Sequence, residues 1–155
     1  MNMKTFIGII LIIISPIVLA SYAAAGTNKA GLHASVRVLP YVQYDINHQE
    51  LNLTLVQQDI DRGYKEISHA TIFSVKTNSP NGYVINFYIG GDYISEVSLS
   101  DGSNHYSLSE SGGEVYFVYG GMNYMTKELS FRFTLLADTE PGTYDWPVSF
   151  IMSPM

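Results

Sequence analysis

Glu128-Leu129-Ser130-Phe131-Arg132-Phe133-Thr134-Leu135-Leu136 is the stretch on which the fold turns. Leu129, Phe131, Phe133 and Leu135 take every second position, with Ser130, Arg132 and Thr134 between them. Successive side chains of a strand point to opposite faces, so this pattern predicts a β-strand with one apolar and one polar face. Downstream, Asp138-Thr139-Glu140-Pro141-Gly142 carries turn chemistry, and Tyr144, Trp146, Val148, Phe150 and Met152 then alternate to the end. Pro147 falls on the outward set and cannot donate to a ladder, so the last strand is expected to expose at least part of one edge.

Upstream the same period recurs. Thr71, Phe73, Val75 and Thr77 form one set, Ser79-Pro80-Asn81-Gly82 a turn, and Tyr83, Ile85, Phe87 and Ile89 the expected second arm of a hairpin. Leu51, Leu53 and Leu55 alternate with Asn52 and Thr54. Leu32, Ala34, Val36 and Val38 alternate with His33, Ser35 and Arg37, which reads as a half-buried strand ended by Pro40. Gly90-Gly91, Asp101-Gly102, Gly112-Gly113 and Gly120-Gly121 punctuate the middle of the chain. Only Val56, Ile60, Tyr64 and Ile67 have helical spacing, and Gly63 and two aspartates weaken that window to a short helical turn at most. Short strands at regular spacing predict an all-β protein, an antiparallel β-sandwich in one domain.

The first 25 residues speak to compartment. Lys4 precedes the apolar run Phe6–Leu19, and small residues follow at Ala20, Ser21, Ala23, Ala24 and Ala25. Basic, apolar and small in that order is the pattern of an export signal, with cleavage expected after Ala23 or Ala25. The run is shorter than the roughly 20 apolar residues of a spanning helix and contains Pro16, so no membrane span is expected after cleavage. The expected organisation is a signal peptide over 1–25 and one domain over 26–155, working in the periplasm, at the cell surface or outside the cell.

The whole chain has 155 residues, no cysteine and a net charge of −6, and loss of Lys4 with the leader makes the remainder more acidic. Absence of cysteine excludes disulfides, thiolate metal sites, thiol nucleophiles and a lipoprotein-type anchor. Absence of any basic cluster argues against nucleic acid as a partner. His33, His48, His69 and His105 are spread without metal-ligand spacing, and no cofactor or metal is expected. Asp59-Ile60-Asp61 lacks the calcium-loop pattern and reads as a solvated loop. The serines of 95–111 form no Gly-x-Ser-x-Gly elbow, and Glu110 and Glu114 flank Gly112-Gly113 as at a polar hairpin tip. No catalytic constellation emerges, so an enzyme is not expected.

Two groups of residues invite functional readings. Tyr88, Tyr93, Tyr106, Tyr116, Tyr119 and Tyr124 cluster in the middle third, where exposed rings could stack on carbohydrate or make adhesive contacts. The opposing reading packs most of them into the sandwich. Leu32, Ala34, Val36 and Val38 follow the leader Gly26-Thr27-Asn28-Lys29-Ala30-Gly31. They suit an edge strand of their own domain, and equally a strand lent to a neighbouring subunit.

Three stretches together resemble the spore coat protein U family and the related archaic chaperone–usher pilin subunits. Phe73-Ser74-Val75-Lys76-Thr77-Asn78 leading into Gly82-Tyr83-Val84-Ile85 is similar to their paired middle strands. Glu128–Leu135 is similar to their late strand, and Pro141-Gly142-Thr143-Tyr144-Asp145-Trp146 to their Pro-Gly-Thr-Tyr ending. The resemblance implies an immunoglobulin-like, Greek-key sandwich serving as a non-enzymatic surface or filament subunit. It further implies self-association, or delivery by a periplasmic chaperone to other surface subunits, by strand donation from Leu32, Ala34, Val36 and Val38.

Overall fold

The alternation of the sequence is realised as ten strands and one short helix among the residues that the computed structural model describes, 35–121 and 123–155. In chain order these are β1 (Val42–Gln49), β2 (Asn52–Leu55), α1 (Gln57–Arg62), β3 (Tyr64–Thr77), β4 (Tyr83–Ile89) and β5 (Ile94–Ser100). There follow β6 (His105–Ser109), β7 (Gly112–Phe117), β8 (Met125–Leu135), β9 (Gly142–Asp145) and β10 (Val148–Pro154). Val38–Met155 form one unit. The expected leader over 1–25 and the positions Leu32 and Ala34 lie outside the described residues.

Eight strands make one antiparallel sheet in the order β1-β3-β8-β5-β6-β7-β4-β10, and β2 and β9 pair in a separate ribbon. The large sheet is nearly closed into a barrel. Its two edges meet through side chains: Gln49 Nε2 donates to the Val148 carbonyl at 3.1 Å, and the Tyr44 and Phe150 rings lie 6.1 Å apart. Strand β8 sits at the centre of one wall, between β3 and β5. Its inward residues Leu129, Phe131, Phe133 and Leu135 are buried, as the alternation predicts. Phe131 meets Phe87 edge-on, and Trp146 stands edge-on to both Phe131 and Phe133. Leu53 and Leu55 of the β2–β9 ribbon are buried in the same core.

Several expectations are corrected. Strands β3 and β4 are not a hairpin: β3 pairs with β1 and β8, and β4 pairs with β7 and β10. The turn at Ser79–Gly82, closed by Gly82 N–H to Ser79 O at 3.2 Å, therefore carries the chain between opposite sides of the sheet. A turn motif reverses a chain, but side-chain burial selects the partners. Pro147 is buried and outside any strand, so it divides the last alternating run into β9 and β10. Leu51 is exposed, since pairing begins at Asn52. Ser35–Val38 form no strand, and Val36 and Val38 are 88% and 73% exposed rather than half-buried.

Asp59 is also not in a solvated loop. It lies in α1 with its carboxylate buried, accepting from the Val56 N–H at 3.1 Å and from Lys65 Nζ at 2.9 Å, and pairing with Arg62. Burial alone would raise its pKa; the Lys65, Val56 and Arg62 donors outweigh it and hold the carboxyl below its ordinary value. Gly63, at φ 75, then ends the helix. Of the helical window, only Ile60 is helical, while Tyr64 and Ile67 already belong to β3.

Candidate functional site: an open seam between two edge strands

Strand β1 is weak in the sequence, because polar Gln43, Asp45, Asn47, His48 and Gln49 outnumber its apolar Val42, Tyr44 and Ile46. Its alternation of Val42, Tyr44 and Ile46 is nonetheless legible. Among the described residues it pairs on one side only, with β3, from Val42↔Thr77 to Gln49↔Thr71. Strand β10, among the same residues, likewise pairs on one side only, with β4, from Val148↔Ile89 to Pro154↔Tyr83. Between them runs a seam. Every neighbouring pair from β1 to β10 is antiparallel, so the two edges run in opposite directions.

The seam is lined by apolar residues. Val148 and Met152 are buried, Phe150, Val42 and Tyr44 are half-buried, and Ile46 is 48% exposed although it lies on the inward set. Phe150 reaches Phe73 and Phe87 at 6.0 and 5.9 Å between centroids, so the floor of the seam is continuous with the core. A bulge between Ile46 and His48 shifts the register of β1, which bends an edge away from flat pairing. The Gln49–Val148 hydrogen bond pinches one end. At the other end the Ser79 hydroxyl donates to the Met155 carbonyl, and the Met155 N–H donates to Gly82 O at 3.1 Å, pinning the end of β10.

The lead-in to β1 is held on the side away from the seam. Asn78 Nδ2 donates to Leu39 O at 3.0 Å, and Tyr41 N–H donates to Asn78 Oδ1 at 2.7 Å. Thr77 Oγ1 donates to Tyr41 O at 2.5 Å. Thr77 and Asn78 belong to the β3 side, so residues 39–41 are drawn towards β3 and not over the free edge of β1.

The six tyrosines do not gather. Tyr119 is buried, and its hydroxyl donates to Asn123 O. Tyr106 turns inward against Phe117, and Tyr93 stacks on Tyr144 at 4.2 Å. Tyr88 and Tyr116 are exposed on the outer face of β4 and β7, where Tyr88 faces Gly112 and Tyr116 faces Val84. The Tyr116 hydroxyl donates to Glu114 at 2.6 Å, and that bond to a carboxylate raises its pKa. Tyr124 lies 5.9 Å from Lys76 Nζ, on another part of the surface. Among the described residues, no group of three His, Asp or Glu side chains is placed to hold a metal ion, and no helix is long and apolar enough to cross a membrane. No protein-family model, curated protein or solved structure matches the chain.

Proposed function

We propose that the chain is a secreted, non-enzymatic surface subunit, pilin- or coat-like, that assembles by lending the strand Leu32–Val38 to the β1–β10 seam of a second copy. The observation that carries this reading is the coincidence of two edge strands without a ladder between them and an alternating segment without a strand partner. Among the described residues β1 and β10 meet through side chains only, while Val36 and Val38 stand exposed and unpaired. In strand addition the main chain supplies hydrogen bonds and alternate side chains fill pockets. Leu32, Ala34, Val36 and Val38 provide that alternation, and Val42, Tyr44, Ile46 and Phe150 provide the receiving surface.

The edges run oppositely, so an inserted strand is parallel to one and antiparallel to the other. Insertion into its own seam would need the segment to turn back over the free edge of β1. The Asn78 and Thr77 bonds to residues 39–41 oppose that path and favour donation to another subunit. A two-layer, immunoglobulin-like reading of the barrel fits the same scheme. β6 and β7 share only the Ser109↔Gly112 pair, which supports folding the sheet there into one layer of β1, β3, β8, β5 and β6 and another of β7, β4 and β10.

Paired cysteines test the reading. Val36→Cys and Ile46→Cys in one chain, oxidised in the surface fraction, are expected to give a ladder of covalent multimers on a denaturing gel. Deletion of residues 26–38 is expected to abolish the assembly and leave a folded chain. A purely intramolecular crosslink, or normal assembly by the deletion variant, would sink strand donation.

A further inference from the structure

The seam leaves the opposite wall of the barrel unused, and that wall has its own character. Residues of β3, β8, β5 and β6 line a trough of about 480 Å³, with Ile67 and Tyr106 beside the polar residues of its outward face. Its central row is set by register alone: Glu66 faces Arg132, Arg132 faces Ser98, and Ser98 faces Ser107. Two residues further along β8 and β5, Ser130 faces Ser100.

The groups in this trough are held but not satisfied. The Arg132 guanidinium lies 3.9 Å from the centre of the Tyr64 ring and 3.7 Å from Glu66, which fixes its plane while leaving donors unused. Ser130 Oγ accepts from the His69 N–H at 3.0 Å, and Ser100 Oγ accepts from the Gly102 N–H at 3.2 Å. Each hydroxyl therefore keeps its own proton to donate. Ser107 donates to Glu96, which leaves its lone pairs open. Among the described residues the Ser98 hydroxyl makes no hydrogen bond. His69 itself sits at φ 53 in a bulge of β3 opposite Ser130. A left-handed non-glycine residue at a bulge is a feature that accumulates beside binding sites.

We infer that this trough binds a neutral glycan segment lying across β3, β8, β5 and β6. A carboxylate and a guanidinium stand side by side here, so a ligand of either net charge gains against one and loses against the other. Sugar hydroxyls donate and accept at once and satisfy both. Four strands at about 4.8 Å spacing give the trough the length of a few linked sugar rings. The row itself is polar, Glu66, Arg132, Ser98 and Ser107, which suits a hydroxyl-rich ligand better than the apolar core of a protein interface. The site is independent of strand donation and of the exposed Tyr88 and Tyr116.

The test is a titration of the isotope-labelled full chain, as isolated from its producing cells, with cellotetraose, maltotetraose and chitotetraose, and with tetragalacturonate for comparison. At least one neutral tetrasaccharide is expected to give saturable amide shifts at Ser98, Ser107 and Arg132, with a Kd at or below the millimolar range. Arg132→Met and Ser98→Val are expected to weaken binding tenfold or more. Tyr88→Ala should bind as the parent does, and the exposed Arg132 position keeps its variant folded. No saturable shift with any neutral sugar would overturn the assignment. So would preference for tetragalacturonate, shifts centred on Tyr88 and Tyr116, or unchanged affinity in both trough variants.

Discussion

Strands β8 and β1 carry the same alternation and meet different fates. In β8 the inward Leu129, Phe131 and Phe133 are 0%, 2% and 0% exposed, whereas in β1 the inward Ile46 is 48% exposed. Both strands are antiparallel members of one sheet, and both pair with β3. The difference is the second neighbour: β8 has β5, and β1 has none among the described residues. Alternation decides which way a side chain points, and the company of neighbouring strands decides whether it is removed from water. An inward apolar residue left half in water marks the edge of the sheet.

Truncation at the centre should cost most. Phe131→Ala removes a ring that touches Phe87, Phe133 and Trp146, and is expected to lower the unfolding free energy by about 3–5 kcal/mol in a urea titration. A loss below about 1 kcal/mol would mean that β8 is not the hub of the core. Gly82→Ala comes next. At φ +94 its new Cβ would lie 2.1 Å from the Phe117 carbonyl oxygen, whereas Gly102, at φ +89, has nothing within 4 Å. The first change should cost about 3 kcal/mol and the second about 1 kcal/mol; equal costs would show that the β4–β7 wall yields easily.

Asp59→Asn should cost about 1–3 kcal/mol, because Lys65 and the Val56 N–H lose a charged acceptor. The carboxyl is held below its ordinary 3.8 in the folded chain, so its contribution is present above that value and fades as pH falls through the lower, folded value. The parent should therefore lose stability faster than Asp59→Asn on acidification below about pH 4, and parallel curves would contradict the burial of this group. The smallest effect is expected at the seam. Ile46→Thr should change unfolding by no more than about 0.5 kcal/mol yet reduce multimer formation in the surface fraction. A large stability loss with normal assembly would reverse the contrast between the two strands.

The β8 strand and the buried faces of β3 and β4 are legible because each is a strong local pattern, whereas the helical window is weak and overlaps α1 only at Ile60. Strand partners are not legible, and the Ser79–Gly82 turn suggested a hairpin that the sheet does not contain. Local chemistry fixes the bend there, but Phe73 and Ile85 settle on partners more distant in sequence. Asp59 was misread because its burial depends on Lys65, which sits in the next element. The seam was hidden for a similar reason. Val42, Tyr44 and Ile46 look like a weak strand in isolation, and only their place at the edge opposite β10 gives them meaning. The tyrosines share a stretch of sequence without sharing a surface, since alternate residues and successive strands send them to different sides.

The order of strands also sets a timetable for folding. β4 gains its second neighbour only from Val148–Pro154, the last strand in the chain, and β3 waits for Met125–Val75 through Thr134–Tyr64 pairing. Contacts so distant in sequence form slowly, because chain ends must be brought together before pairing rewards them. A chain emerging from its amino end would hold β4 with a bare edge until its final residues are free. Uncovered edges of that kind recruit other chains indiscriminately. The interval before β10 docks is thus when aggregation competes most strongly with folding.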